Sequence, residues 1–183
     1  MPGVYRPRKD SFLLKEVVEE QPLAGRRVLD MGTGSGIIAA TAAEQGAQVT
    51  AVDIDPAAVE HVRDRFSDTD SVTAVTSDLF ETVEDVFDLI AFNPPYVPST
   101  PEEQEAERSW AGGEDGRETV DRFIEAAPDF LTPEGTVLLV QSTRNDIGTT
   151  RAAFQAAGMD AAVVVREQLH FEELVVLAAE PTA

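Results

Sequence analysis

Three groups of residues have the types and spacing to do chemistry. Gly32, Gly34 and Gly36 lie in "DMGTGSG", after one apolar run and before an alanine-rich one. Glycines at such a turn let backbone approach a ligand closely, and the N-terminus of the following helix favours a negative group. Asp53 ends the run "QVTAVD", where a carboxylate can accept both hydroxyls of a ribose; Asp78 follows "SVTAVTS" and can accept from the exocyclic amine of an adenine. The third group, Asn93-Pro94-Pro95-Tyr96, closes the apolar run "VFDLIAF". Neither proline has an N–H for a strand ladder, so the pair stops a strand. An amide and an aromatic ring beside that stop are the materials of a binding site.

Two cofactors fit the glycines and carboxylates: a dinucleotide and S-adenosylmethionine. The dinucleotide fingerprint G-x-G-x-x-G asks for glycine at position 37. Ile37 stands there, and no residues suited to hydride transfer accompany the loop. The methyl donor is the better fit.

Such residues work only on a scaffold that gathers strand ends. The spacing predicts a helix over 10–20, with Phe12, Leu13, Leu14 and Val17 on one apolar face. "RRVLDM", "QVTAVDI", "SVTAVTS", "VFDLIAFN" and "TVLLVQS" read as strands. Between them fall a helix closed by Gly46, and a second with Asp55 as N-cap and Pro56 at its first position. A third opens at a capping box of Asp115 and Glu118 and runs to about Pro128; a fourth ends at Gly158. The last two β-rich runs, "DAAVVVREQ" and "ELVVLAA", suit an antiparallel pair. Alternating strands and helices predict an α/β, doubly wound, mostly parallel sheet with ligands at its carboxyl ends. "DMGTGSG" and "AFNPPY" should then face one another. No repeat or composition shift divides residues 1–183, so a single domain is expected.

Acidic residues number 34 against 14 basic ones, a net charge of −20, and the only lysines are Lys9 and Lys15. Such a field repels nucleic acid, and no direct nucleic-acid binding is expected. Acidic, lysine-poor surfaces also suit concentrated salt, where charges are screened over roughly 3 Å at 1 M. The chain has no cysteine, which excludes disulfides, a thiol nucleophile and a cysteine zinc site within it. His61 and His170 lie far apart, so no metal site is expected. No apolar run is long enough to span a bilayer, and "MPGVYRPRKD" lacks a signal peptide's apolar core. A cytoplasmic protein is expected.

"DMGTGSG", "VDID", "SDLF" and above all "FNPPY" resemble the glutamine-specific protein methyltransferases that modify translation release factors, the HemK-type group. "VYRPRKDSFLL" and "SWAGGEDGRETVDRF" resemble its compact archaeal and eukaryotic branch. The resemblance covers essentially the whole chain. It implies a Rossmann-like class I S-adenosylmethionine-dependent fold with a seven-stranded sheet, residues 1–22 packing on the cofactor site. It also implies that Ser11 contacts the cofactor, Asp30 holds its methionyl end, and Gly32 and Gly34 lie along it. Asp53 would hold the ribose, Asp78 with Leu79 would frame the adenine, and Asn93 would bind the substrate amide and touch the donor. A small zinc-binding activator subunit is the implied partner, pairing with the edge strand "SVTAVTS".

An amide nitrogen is a poor nucleophile, so the task is largely positioning, worth roughly 7–11 kcal/mol of barrier. The Asn93 side-chain oxygen can accept one amide N–H and the Pro94 carbonyl the other, with Pro95 holding the turn rigid and Tyr96 stacking on the planar amide. The same clamp suits adenine N6, and a lysine amine also fits a compact pocket. The acidic loop 97–111, with Glu102, Glu103, Glu105 and Glu107, reads as a solvated run that Trp110 helps to anchor.

Overall fold

The runs around Val28 and Leu89 are apolar without alternation because both faces of their strands are covered. Val28 and Leu89 pack on one side of the sheet, Leu29 and Ile90 on the other. The computed structural model describes residues 7–95, 117–170 and 172–182. Its elements are α1 (Lys9–Glu19), β1 (Arg27–Met31), α2 (Ile37–Glu44), β2 (Gln48–Asp53), α3 (Pro56–Arg65), β3 (Val72–Thr76) and β4 (Phe87–Phe92). After them come α4 (Glu118–Ala126), β5 (Leu131–Ser142), α5 (Ile147–Ala156), β6 (Met159–Gln168) and β7 (Glu173–Pro181). The strands form a 7-stranded sheet in the order β3-β2-β1-β4-β5-β7-β6. The five from β3 to β5 are parallel, and β7 is antiparallel to both neighbours. This is the doubly wound sheet and terminal antiparallel pair that the sequence predicts.

Helices α1, α2 and α3 cover one face through Leu14, Val18, Ala39, Val59 and Val62. Helices α4 and α5 cover the other through Phe123, Ile124 and Phe154. Truncating a fully buried ring such as Phe123 should cost about 3–5 kcal/mol. Phe123 also lies 4.6 Å from Phe92 and 5.5 Å from Phe80, which stacks on Phe130 at 4.4 Å. This chain of rings fixes the β3–β4 connection against the end of β4.

Local signals behave as expected at α3, where the Asp55 carboxylate accepts from Ala57 N and Pro56 opens the helix. Three expectations need correction. Phe12 is 50% exposed; Asp10 and Ser11 are buried beside Leu13, Leu14, Val17 and Val18. Helix α4 begins at Glu118 with Arg117 as an N-cap that makes no side-chain cap bond, and Asp115 lies outside the described residues. It gives way at Ala127 to a 3-10 turn, and β5 starts at Leu131, well before "TVLLVQS".

Both outer strands have a carbonyl covered by an arginine. Ser71 and Ser77 bond inward to β2, so Ala74, of opposite parity, faces outward from β3. Arg63 of α3 donates two hydrogen bonds to the Ala74 carbonyl, at 3.0 and 2.8 Å. Thr82 Oγ1 donates to Thr76 O at 3.3 Å, on the same side. Across the sheet, Arg151 Nε of α5 donates to the Ala161 carbonyl of β6 at 2.8 Å. No helix among the described residues is long and apolar enough to cross a membrane.

Candidate active site

The glycine loop is held at the carboxyl ends of β1 and β2. Gly32, Gly34 and Gly36 take φ values of 65°, 48° and 71°, the left-handed region that side chains other than glycine disfavour. Thr33 N donates to Val52 O at 2.8 Å, and Gly34 N to Asp53 Oδ2 at 2.9 Å. Arg65, at the end of α3, donates to Ser35 O at 2.9 Å from the far side. Gly32 lies directly against the Phe92 ring, so the loop reaches from β2 to the end of β4.

Two buried carboxylates stand beneath this loop. Asp30 Oδ2 accepts from Thr33 Oγ1 at 2.6 Å and from Ala39 N at 3.0 Å, tying β1 to the first turn of α2. Burial pushes the Asp30 carboxyl up to about 7, against the pull of those two bonds and with the Asp53 charge adding to the rise. Asp53 Oδ2 takes the Gly34 N–H and Oδ1 takes that of Asp55 at 2.9 Å. Burial raises Asp53 above its usual range, while the amides of Asp55 and Gly34 pull it down. The Ile54 amide adds a weaker pull, so backbone N–H groups on both sides fix the orientation of this carboxylate.

Beyond β3, Asp78 and Leu79 form a turn, with Leu79 at φ 49°. Asp78 Oδ2 accepts from Arg122 of α4 at 3.0 Å, so one of its oxygens is engaged by a cation that sequence reading did not pair with it. A hollow of about 380 Å³ lined by Asp78, Leu79, Phe80, Arg122 and Ala126 opens there. Ile54, directly after Asp53, is a large apolar side chain left 40% exposed. Ser77 N bonds Asp53 O at 3.0 Å, which brings the two strand ends together. Ile54 is an exposed apolar residue that sequence reading missed, although "VDID" places it next in sequence to the ribose-type carboxylate.

Asn93 follows the last residue of β4, and Pro94 is buried behind it. Asn93 Nδ2 is 3.5 Å from Ser11 Oγ of α1. Asn93 Oδ1 is buried and has no hydrogen-bond partner among the described residues. A buried acceptor without a partner is costly, and an incoming N–H relieves it. The structure thus brings Ser11, Asp30, Gly32, Gly34, Asp53 and Asn93 to one end of the sheet, with Asp78 and Leu79 at its β3 side. Tyr96, Trp110 and the acidic loop 97–111 lie outside the described residues.

These residues fit a nucleoside donor with a cationic tail. A Cβ on Gly32 would crowd the Phe92 ring, the Asp53 carboxylate is held by the loop amides, and Asp30 offers a second buried carboxylate. A family model described as methyltransferase small domain matches residues 8–168. A Methanocaldococcus jannaschii protein provisionally named protein N5-glutamine methyltransferase is 36% identical over 184 residues, covering 97% of this chain and 92% of its own. The E. cuniculi Mtq2-Trm112 complex, which methylates the eRF1 translation termination factor, contains a chain of similar fold. Its TM-score is 0.80 at 25% identity, covering 98% of this chain and 99% of that one. A T. thermophilus 16S rRNA N2 G1207 methyltransferase solved with AdoMet and guanosine matches with a TM-score of 0.74 at 25% identity, over 99% of this chain and 46% of its own.

Proposed function

This chain belongs to the methyltransferase small domain family, and we propose that it transfers a methyl group from S-adenosylmethionine to the side-chain amide of a glutamine in a translation release factor. The observation that carries this reading is the buried, unpartnered Oδ1 of Asn93 at the mouth of the donor loop. The relatives support it: one is named for N5-glutamine methylation, and another acts on a termination factor.

Asn93 Oδ1 accepts one amide proton, and the Pro94 carbonyl takes the second. With both N–H groups held, the nitrogen faces the methyl carbon, and neutral acceptors favour the positive charge that grows on it. Asp53 accepts from the ribose hydroxyls, Asp30 faces the methionyl ammonium, and Asp78 and Leu79 frame the adenine. When bound, S-adenosylmethionine supplies a methyl on a positively charged sulfur, which leaves as a neutral thioether, and the methylated nitrogen releases one proton to water. Burial of the Asn93 Oδ1 atom and of Pro94 keeps water from competing for the acceptors.

The Mtq2-Trm112 likeness supports a small activator subunit as partner. In this reading the activator binds zinc, pairs with the β3 edge, and the assembly works in the cytoplasm. Residues 1–183 act as one methyltransferase domain, with the segment 1–22 packing on the cofactor site. The surplus of 34 acidic over 14 basic residues fits work in concentrated salt. The experiment incubates the chain with labelled donor, with and without the small subunit, and offers release factor, tRNA, DNA and a lysine-rich protein side by side. Label on a release-factor glutamine is expected. Label on adenine or lysine instead overturns the substrate assignment.

A further inference from the structure

Beside the clamp lies a pair of buried polar residues that the transfer mechanism leaves unused. Asp10 and Ser11, the second and third residues of α1, are both buried. Ser11 Oγ donates to Asp10 Oδ1 at 3.2 Å, and Ser11 N donates to the same oxygen at 2.7 Å. A serine hydroxyl has a single proton. With that proton directed at Asp10, the hydroxyl shows Asn93 only lone pairs. Asn93 answers with its NH₂, Nδ2 lying 3.5 Å from Ser11 Oγ, and this leaves Oδ1 on the opposite side without a partner.

We propose that Asp10 is a positioning residue that acts through Ser11: it fixes the direction of the hydroxyl proton and so turns the Asn93 oxygen, rather than its nitrogen, toward the substrate amide. This rests on the reading of Asn93 as the amide clamp. Without the Asp10 carboxylate the Ser11 proton is free to point at Asn93. An O–H donor there draws Oδ1 toward itself, and the substrate then meets an NH₂ group. Two facing N–H donors repel, so transfer fails while the donor pocket stays intact. An acid in the first turn of α1 that serves only the helix dipole would instead lower stability by about 0.3–1 kcal/mol and leave kcat alone.

The test uses the full chain in its active assembly, with a release factor as substrate, S-adenosylhomocysteine binding by calorimetry and a thermal melt for each variant. Asp10→Ala should lower kcat by about tenfold or more while S-adenosylhomocysteine affinity stays within about threefold. The double variant Asp10→Ala with Ser11→Ala should recover activity relative to Asp10→Ala alone, because the misdirected proton is gone. A purely structural acid has no reason to show such rescue. Should Asp10→Ala fail to fold, Ser11→Thr and Ser11→Val decide, being equal in shape but differing in the hydroxyl: the Thr variant should turn over faster than the Val variant. Wild-type kcat in Asp10→Ala, no recovery in the double variant, or equal kcat in the Thr and Val variants overturns the proposal. Undiminished transfer by Asn93→Ala would instead remove the clamp reading itself.

Discussion

A Cβ placed on Gly32 would lie 3.3 Å from Cε2 of Phe92, the residue immediately before Asn93. The donor loop and the amide clamp therefore meet through one aromatic ring, which rests in turn on Phe123. Gly32→Ala adds a methyl at a φ of 65°, a conformation that costs a residue with a side chain about 1–2 kcal/mol. The variant should melt lower and lose donor binding and transfer together, since the displaced ring carries Asn93 with it. A normal donor affinity in calorimetry would show that the loop and clamp are not coupled.

Asn93→Ala should separate what Gly32→Ala confounds. Its donor affinity should match wild type while kcat falls about a hundredfold or more, because one of the two amide acceptors is lost. Parallel loss of binding and turnover would make Asn93 a structural residue.

Asp30 gives the protein a pH signature. Folded Asp30 holds its proton up to about pH 7, whereas the ordinary carboxyl releases it near 3.8. Between those values the native state binds more protons than the unfolded chain, so this group makes stability fall as pH rises, levelling off above about 7. Asp30→Asn removes that slope. Denaturant melts should show it gaining on wild type from about pH 4 to pH 7, by at most about 4 kcal/mol. Donor affinity should move in the opposite sense: a methionyl ammonium favours the charged carboxylate, so wild-type binding tightens toward pH 7 and the variant binds weakly throughout. A melt difference independent of pH would show that the Asp30 carboxyl is not shifted.

The net charge of −20 predicts a response to salt. Screening shortens from about 10 Å at 0.1 M to roughly 3 Å at 1 M, which relieves repulsion among the carboxylates. The melting temperature should climb as potassium chloride is raised across that range. A flat or falling curve would remove the concentrated-salt reading.

Much of this architecture was legible where the signal is local. Asp55 and Pro56 announce the start of α3 because capping uses neighbours in sequence, and the continuous apolar runs of β1 and β4 announce central strands. The glycine loop, Asp53 and Asn93 follow strand ends, so an alternating pattern already places them together. Phe12 misled because apolar spacing alone does not say which side of a helix meets the sheet. It lies opposite Leu14, while on the inner face Ser11 reaches Asn93 and Asp10 accepts from Ser11. Arg122 with Asp78, and Arg65 with Ser35, were illegible: each pair is brought together only by the packing of a helix against a strand end. Ile54 was visible in "VDID", but one isoleucine outside a strand has no periodicity to single it out.

Arg63 has a consequence for any subunit that would extend the sheet at β3. Two donors from its guanidinium already fill the carbonyl of Ala74, so a newcomer's backbone N–H finds that rung taken and must evict the side chain before it can zip on. Removing the obstruction should therefore tighten assembly: Arg63→Ala should bind the small subunit more strongly than wild type, and should form chance aggregates more readily when alone. Sedimentation velocity on the two proteins, each with and without the subunit, reads both effects. Weaker binding by the variant would mean that the arginine is a handhold for the partner rather than a latch against strangers.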